Sequence, residues 1–214
     1  ALKVFKFPKG ITVDKDNNFY VVDESSTRLH KYDAAGRALS GFGNSGKEFK
    51  VLKTPSAIAV DSQSNIYVTD TRTHNISKFD KSGKFIKKWG RQGNQQDAFD
   101  APSGICVDKN NDLYVVDSGN SRIKKYSSQG ILKKVWGKSG TAEGSFIYPT
   151  DIAVNQANEI FILDRARIQK FTSEGEFIAA WGKAGRGDGD LNKPMGIFVD
   201  QYGHVYIADT GNNR

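Results

Sequence analysis

The three histidines of this chain, His30, His74 and His204, are the side chains best suited to bind a catalytic metal. Catalytic zinc is held by three protein ligands that converge from one side. His30 falls in a segment with the composition of a β-strand, whereas His74 and His204 fall in loops at opposite ends of such strands. The three side chains are therefore not expected to converge. We predict no metal, no cofactor and no catalytic residue.

Two acidic loops contain enough carboxylate and amide oxygens to suggest calcium binding. They read DKDNN at residues 14–18 and DKNND at residues 108–112. Both lack the glycine and the bidentate glutamate at the spacing that an EF-hand loop requires. Because aspartate and asparagine side chains bond to their own backbone in tight turns, we interpret both loops as structural turns. The lone Cys106 excludes an internal disulfide, and no activated nucleophile can be recognised.

Basic side chains are the better candidates for function. The net charge is +7, which favours acidic partners such as nucleic acid, phosphorylated groups or an anionic surface. Nine basic residues lie in segments read as loops or loop ends, and we predict that they form a binding surface: Arg28, Arg72, Arg91, Arg122, Lys138, Arg165, Arg167, Lys183 and Arg186. The alternative is a solvated surface whose charge is balanced by Asp97, Glu143, Asp188 and Asp190.

Two short motifs have weaker functional interpretations. Arg186-Gly187-Asp188 matches an integrin-type tripeptide, but the glycine-rich segment GTAEGSF at residues 140–146 shows that such composition is ordinary in this chain. Asn75-Ile76-Ser77 is a glycosylation sequence that has meaning only in a secreted protein.

The elements that position these residues follow an internal repeat. All five prolines keep one register, with spacings of 47, 47, 47 and 45 residues, at Pro8, Pro55, Pro102, Pro149 and Pro194. A series of aspartates keeps the same step: Asp23, Asp70, Asp117, Asp164 and Asp209. The fourth copy is two residues shorter because DSGNSRI becomes DRARI at residues 164–168, which adds Arg165 and singles out Arg165 and Arg167. Periods of this length indicate a repeat architecture.

Each copy has the pattern of four short strands. The second copy reads PSAIAVD, SNIYVTD, NISKFD and GKFIKKWG, which are segments rich in β-branched and aromatic residues between polar turns. Four strands per copy, repeated around an axis, predict a β-propeller. Lysines in the fourth segments, such as Lys87, Lys88, Lys133 and Lys134, are expected on exposed edge strands, where they discourage pairing with other chains.

The combined pattern resembles the NHL-repeat family of β-propellers. It reads P-x-x-I-x-V-D, then Y-V-x-D-x-G-N-x-R-I-x-K-[FY], then G-x-[FIL]-x-x-x-W-G, and is clearest at residues 102–137 and 194–214. The resemblance implies an all-β propeller of four-stranded blades, usually six to a ring. The family includes sensor domains, protein scaffolds, RNA-binding proteins and a few lyases, so it leaves the function open.

The repeat predicts one incomplete propeller domain over residues 1–214, with four complete blades and half of a fifth. The blades are expected at about 8–54, 55–101, 102–148, 149–193 and 194–214. We expect this chain to be part of a longer polypeptide, or another chain to close the ring, because unpaired blade faces would expose apolar side chains. No apolar run is long enough to span a membrane, and the compartment is left open.

We predict a non-enzymatic binding or scaffold module that recognises a protein or another ligand through one rim. The rim is the set of second-to-third-strand loops and connectors between blades. One alternative is RNA or other nucleic-acid binding through the basic rim, with Tyr148 as the main exposed aromatic candidate. The other is a lyase, because the resemblance includes the zinc-dependent peptidylglycine amidating lyases.

Overall fold

The structure of the protein is a computed structural model that describes residues 5–25, 28–39 and 52–214, and of Arg28 the backbone alone. Within these residues the regular structure is almost entirely β. The exceptions are two three-residue 3₁₀ turns, Ser118–Asn120 and Thr210–Asn212. None of the described residues forms a helix long and apolar enough to cross a membrane.

Antiparallel sheets follow one another along the chain, one for each copy of the repeat, and we call them blades one to five. Blade one contains β1 (Pro8–Val13), β2 (Phe19–Asp23) and β3 (Arg28–Tyr32). Blade two contains β4 (Pro55–Val60), β5 (Ile66–Asp70), β6 (Asn75–Phe79) and β7 (Phe85–Trp89), and blade three contains β8 (Pro102–Val107), β9 (Leu113–Asp117), β10 (Arg122–Tyr126) and β11 (Leu132–Trp136). Blade four contains β12 (Pro149–Val154), β13 (Ile160–Asp164), β14 (Arg167–Phe171) and β15 (Phe177–Trp181), and blade five contains β18 (Gly196–Val199) and β19 (Val205–Ala208). Between blades four and five, β16 (Lys183–Ala184) and β17 (Asp190–Leu191) pair in parallel.

The turn between the first and second strands of a blade is fixed by its aspartate. In blade three, Asp108 Oδ1 accepts the backbone N–H groups of Asn110 and Asp112 at 2.9 and 2.8 Å. Its Oδ2 accepts the hydroxyl of the buried Tyr114 at 3.0 Å. Asp14 makes the same set of bonds in blade one. The acidic loops therefore have the turn geometry that the sequence predicts.

The middle strands are buried, as expected for sheets with neighbours on both faces. Every residue of β5, β9 and β13 is buried. The outermost strands β7 and β11 are exposed in their central part, and their lysines lie on this edge as predicted. The all-β prediction is therefore confirmed, and so are the four-stranded blades for blades two, three and four, whereas the predicted fourth strand of blade one lies outside the described residues.

The chain divides into two compact units, Ala1–Ile105 and Cys106–Arg214, with the division inside β8. The core of the first unit includes Tyr20, Leu29, Ile58, Ile66 and Phe79. The second unit has two clusters. One joins blades three and four and includes Tyr114, Phe146 and Phe171. The other joins blade four to β18 and includes Phe161 and Ile197. A single domain over residues 1–214 stays a prediction.

Candidate functional site

The buried aspartate that ends a second strand holds the connector that enters its blade. In blade four, Asp164 is fully buried, and its Oδ1 accepts the backbone N–H groups of Ile147 and Tyr148 at 2.8 and 2.7 Å. In blade five, Asp209 accepts the N–H of Asn192 at 2.7 Å in the same way. Asp164 and Asp209 therefore anchor the connectors that enter their blades.

Arg167 completes this anchor. Its Nε donates to Asp164 Oδ2 at 3.0 Å, and its other nitrogens donate to the carbonyls of Thr141 and Ser145 at 2.6 and 2.9 Å. Gln169 is fully buried and donates to the same Ser145 carbonyl at 2.7 Å. One guanidinium thus joins the strand pair to the connector that precedes it. We call Asp164 and Arg167 the blade-four clamp.

The same pairing occurs elsewhere in the second unit. Arg122 Nε donates to Asp117 Oδ2 at 2.7 Å, and Arg214 Nε donates to Asp209 Oδ2 at 3.1 Å. Arg214 also bonds to the carbonyls of Gly187 and Asp190. Of the predicted site residues, Arg122 and Arg167 therefore have structural partners already, as the spacing between aspartate and arginine suggested.

The remaining predicted site residues fall into two groups. Arg91 forms a two-point ion pair with Asp97 at 3.0 and 3.1 Å, and Lys183 lies 3.8 Å from Asp190. Four of the predicted site residues are exposed and form no ion pair in the described part of the chain: Arg72, Lys138, Arg165 and Arg186. Arg28 begins β3, and its side chain lies outside the described residues.

Arg165 is placed directly beside the exposed Tyr148. The N–H of Arg165 donates to the Tyr148 carbonyl at 3.1 Å, while the Tyr148 N–H is held by Asp164. Tyr148 is 62% exposed, its neighbour Ile147 is also exposed, and Arg165 is exposed. We call Ile147, Tyr148 and Arg165 the tyrosine–arginine patch. The sequence singled out Tyr148 and Arg165 separately, and the structure brings them together.

The backbone of Arg165 is in a conformation that L-residues avoid. Its φ is +59°, in the left-handed region, because the shortened hairpin joins β13 and β14 through only Arg165 and Ala166. Glycine or asparagine is the usual residue at such a position, and the left-handed conformation costs other residues about 1 kcal/mol. The arginine is therefore held in an unfavourable backbone conformation at an exposed turn.

The histidines have separate local partners. The Nδ1 of His74 accepts the N–H of Ala101 at 3.0 Å, and His204 Nδ1 lies 2.9 Å from Asp200 Oδ2. His30 makes an edge-to-face contact with Phe5 at 5.2 Å between ring centroids. The glycosylation sequence is inaccessible, because Asn75 and Ser77 are both buried.

Sequence reasoning missed Asp151. It occupies the position of Gly10, Ala57, Gly104 and Gly196 in the other copies, so a comparison of the copies position by position would have found it. Its Oδ2 accepts the N–H of Ile197 at 3.0 Å, and burial raises the pKa of its carboxyl to about 6. It is the only charged residue at a position where the other four copies have glycine or alanine.

Comparisons with known proteins agree with this architecture. Residues 47–135 match a family described as a 6-bladed beta-propeller. The structure is similar to virginiamycin B lyase from Staphylococcus aureus, with a TM-score of 0.69, 17% identity, and coverage of 96% of this chain and 64% of the lyase chain. The chain has a β-propeller fold. It spans less than two thirds of that lyase chain, and no curated protein matches its sequence.

Other similar structures differ widely in what they do. A gluconolactonase from Xanthomonas campestris has a TM-score of 0.68 and 16% identity over 94% of this chain and 69% of its own. A chain of a nidogen–laminin complex has a TM-score of 0.71 and 16% identity over 94% of this chain and 72% of its own. At such identities the likeness shows the fold alone, and the propeller prediction is confirmed while NHL identity stays a prediction.

Proposed function

We propose that the protein is a non-catalytic binding module that recognises a protein partner through the tyrosine–arginine patch of its second unit. The observation that supports it is that Tyr148 and Arg165 are both exposed and that a hydrogen bond joins their backbones. Tyrosine and arginine are among the residues most enriched at the energetic centres of protein interfaces. A rigid scaffold that displays them in a loop is a common arrangement for recognition.

The clamp supports this proposal because it fixes the patch before a partner binds. Asp164 holds the Tyr148 N–H at 2.7 Å, and Arg167 holds the preceding connector. Side chains presented on a fixed backbone lose less conformational entropy on binding, which strengthens an interface without additional contacts. Arg165 forms no ion pair among the described residues, so no ion pair has to break when a partner binds it.

The test uses peptides selected from a random display library against the immobilised protein. A selected peptide is then titrated by fluorescence anisotropy against the wild type, Tyr148→Ala and Arg165→Ala. We expect each variant to bind at least about 10-fold more weakly, because interface centres contribute about 2 kcal/mol or more. Arg72→Ala is the matched control, since Arg72 is exposed and unpaired on the first unit. Equal binding to all variants by every selected peptide would refute the proposal.

Nucleic-acid binding is the second candidate, favoured by three exposed cations of the second unit that form no ion pair among the described residues, Lys138, Arg165 and Arg186, and by the exposed Tyr148. Binding of a labelled single-stranded RNA would be measured as salt rises from about 50 to 200 mM. A steep fall in affinity that is reduced by Arg165→Ala would favour this candidate over a protein partner. A shallow salt dependence would favour the protein partner. Among the described residues no group of three or more histidine, cysteine, aspartate or glutamate side chains is placed to hold a metal ion, which a zinc-dependent lyase would use.

We further propose that a blade of the same repeat type covers the outer face of blade five. Tyr206 is 54% exposed, whereas the equivalent Tyr20, Tyr67 and Tyr114 are fully buried. Phe198 on the neighbouring strand is also exposed, and its ring centroid lies 6.2 Å from that of Tyr206. The tyrosine that other copies bury is therefore exposed on this face, and the residues that bury it elsewhere belong to the next blade, such as Ile58 and Ile66 around Tyr20.

A further inference from the structure

The first strand of blade four contains a carboxylate where the repeat otherwise has glycine or alanine. Asp151 lies in β12, which packs against β18 of blade five. The equivalent residues are Gly10, Ala57, Gly104 and Gly196. A side chain longer than a methyl group at this position must enter the contact between two neighbouring first strands. Asp151 is thus the only charged residue among the five copies at this position.

The carboxylate of Asp151 spans the contact between blades four and five. Its Oδ2 accepts the N–H of Ile197, the second residue of β18, at 3.0 Å. The N–H of Ile152 is also bonded to it. A Cβ added to Gly196 would lie 3.8 Å from Oδ2, so the facing strand approaches closely. Ile197 itself is part of the core cluster shared by the two blades.

Few other titratable groups are carried by the elements packed on β12. On β9 the charged residue is Asp117, which pairs with Arg122 and Lys124, and on β13 it is Asp164, which pairs with Arg167. The strand β18 has none. The Cys106 thiol at the end of β8 is near enough that Asp151 and Asp108 add to the effect of burial in raising its pKa.

Asp151 is partly exposed where β12 meets β18, and none of the ion pairs among the described residues includes it. Burial raises the pKa of its carboxyl from 3.8 to about 6, and the two backbone N–H groups lower the pKa only in part. The folded pKa therefore lies above the unfolded value. The stabilisation that the neutral carboxyl gives is complete below about pH 4 and is lost as the pH rises through about 6.

We propose that Asp151 is a proton-binding site that controls how firmly the β18–β19 hairpin is attached to blade four. The neutral carboxyl accepts the Ile197 N–H without placing a charge between the blades. Ionisation keeps the acceptor but leaves an uncompensated carboxylate in the contact, which weakens the packing of β18. Acidification then tightens the attachment of the fifth blade, and neutral or alkaline pH loosens it.

The test is hydrogen exchange of the Ile197 amide in the full chain, corrected for intrinsic exchange rate, between about pH 5 and pH 7.5. We expect the protection of this amide in the wild type to fall by about 10-fold across this range, because pH 5 lies about one unit below the folded pKa of about 6. Asp151→Asn, which keeps the acceptor and removes the charge, is expected to show constant protection. Asp188→Asn, in an exposed connector, is expected to behave as the wild type.

Two results would overturn the proposal. One is a carbon-detected NMR titration in which the Asp151 carboxyl titrates near the ordinary value for aspartate. The other is an Asp151→Asn variant with the same pH-dependent protection as the wild type. If Asp151→Asn does not fold, Asp151→Gly replaces it, because glycine is present at this position in three other copies. That variant must also lose the pH dependence.

Discussion

Asp164 shows how one buried carboxylate can organise a connector. It is fully buried and accepts hydrogen bonds from two backbone N–H groups, from Arg167 and from Gln169. Removing such a group leaves several buried donors and one guanidinium without an acceptor. This residue is therefore a part of the scaffold on which the tyrosine–arginine patch depends.

Replacement of Asp164 by alanine is expected to lower the free energy of unfolding by about 3–5 kcal/mol, the usual effect of breaking a buried, hydrogen-bonded ion pair. Urea unfolding followed by tryptophan fluorescence measures the change. The control is Asp188→Ala, which should change stability by less than about 0.5 kcal/mol because Asp188 is exposed. Equal effects of the two substitutions on the free energy of unfolding would contradict a stabilising role of the blade-four clamp.

Cys106 is expected to react slowly with alkylating reagents in the folded protein. Burial, followed by the charges of Asp151 and Asp108, raises the pKa of its thiol well above the usual value, and the thiolate is the reactive form. Iodoacetamide labelling at pH 8, followed by mass spectrometry, should give little modification until denaturant is added. Rapid labelling of the native protein would contradict a raised pKa of the Cys106 thiol.

At the scale of elements, glycines that follow the fourth strand of a blade allow the connectors to turn back over it. Gly137 has a φ of +90°, and a Cβ there would lie 2.3 Å from the ring of Phe146, a fully buried residue of the connector. Gly90 stands in the same relation to Phe99. The aromatic–glycine pairs seen in the sequence are thus explained by close approach as well as by backbone conformation.

Gly137→Ala is expected to destabilise the protein by about 2–4 kcal/mol, because the steric overlap adds to the cost of a left-handed backbone. Gly144→Ala is the matched control, since Gly144 has a φ of +74° but no atom within 4 Å of the added Cβ. That variant should lose only about 1 kcal/mol. Thermal unfolding of both variants measures the difference in stability. Similar losses of stability would show that Phe146 moves away from the added Cβ at little cost.

The sequence predicted the elements well because each copy repeats their chemistry. Pro55, Pro102 and Pro149 begin β4, β8 and β12. The aspartates of the same copies end β5, β9 and β13. The candidate site was predicted only in part. The spacing from Asp117 to Arg122 indicated that pair, whereas the pairing of Arg91 with Asp97 depends on how a connector folds back.

The sequence did not predict the contact of Asp151 with blade five or the assembly of the tyrosine–arginine patch. The environment of Asp151 depends on two neighbouring blades, and no local sequence pattern indicates that the Ile197 N–H lies within hydrogen-bonding distance of its carboxylate. Tyr148 and Arg165 are 17 positions apart, and their contact results from how the connector meets the β13–β14 hairpin. The residue types were sufficient to identify Tyr148 and Arg165 as candidates, but they did not predict that the two residues are neighbours.

At the scale of the whole molecule, exposed apolar side chains lie on blade one, where Ile11 and Val13 are exposed, and on blade five. Those on blade five are Met195, Phe198, Tyr202 and Tyr206. Equivalent positions in other copies hold polar residues, such as Thr12 for Phe198 and Ser103 for Met195, or are buried. Exposed patches of this kind favour association with other apolar surfaces.

We expect the 214-residue chain to self-associate as its concentration rises, and Met195→Ser with Phe198→Thr to reduce this association. Each change introduces the residue that another copy has at the same position, so the fold should be preserved. Sedimentation equilibrium over a dilution series measures the effect. Ile86→Thr, on the exposed edge strand β7, is the control. Unchanged association in the double variant would show that blade five is not the contact.

The shortened hairpin of blade four has a practical consequence. Asp164 and Arg167 keep their ion pair although only two residues separate them, whereas four separate Asp117 from Arg122. The length of this turn is therefore independent of the contacts that its ends make. A foreign peptide spliced between Arg165 and Ala166 would be displayed on a fixed base, which makes this hairpin a natural site for grafting epitopes or reporter tags.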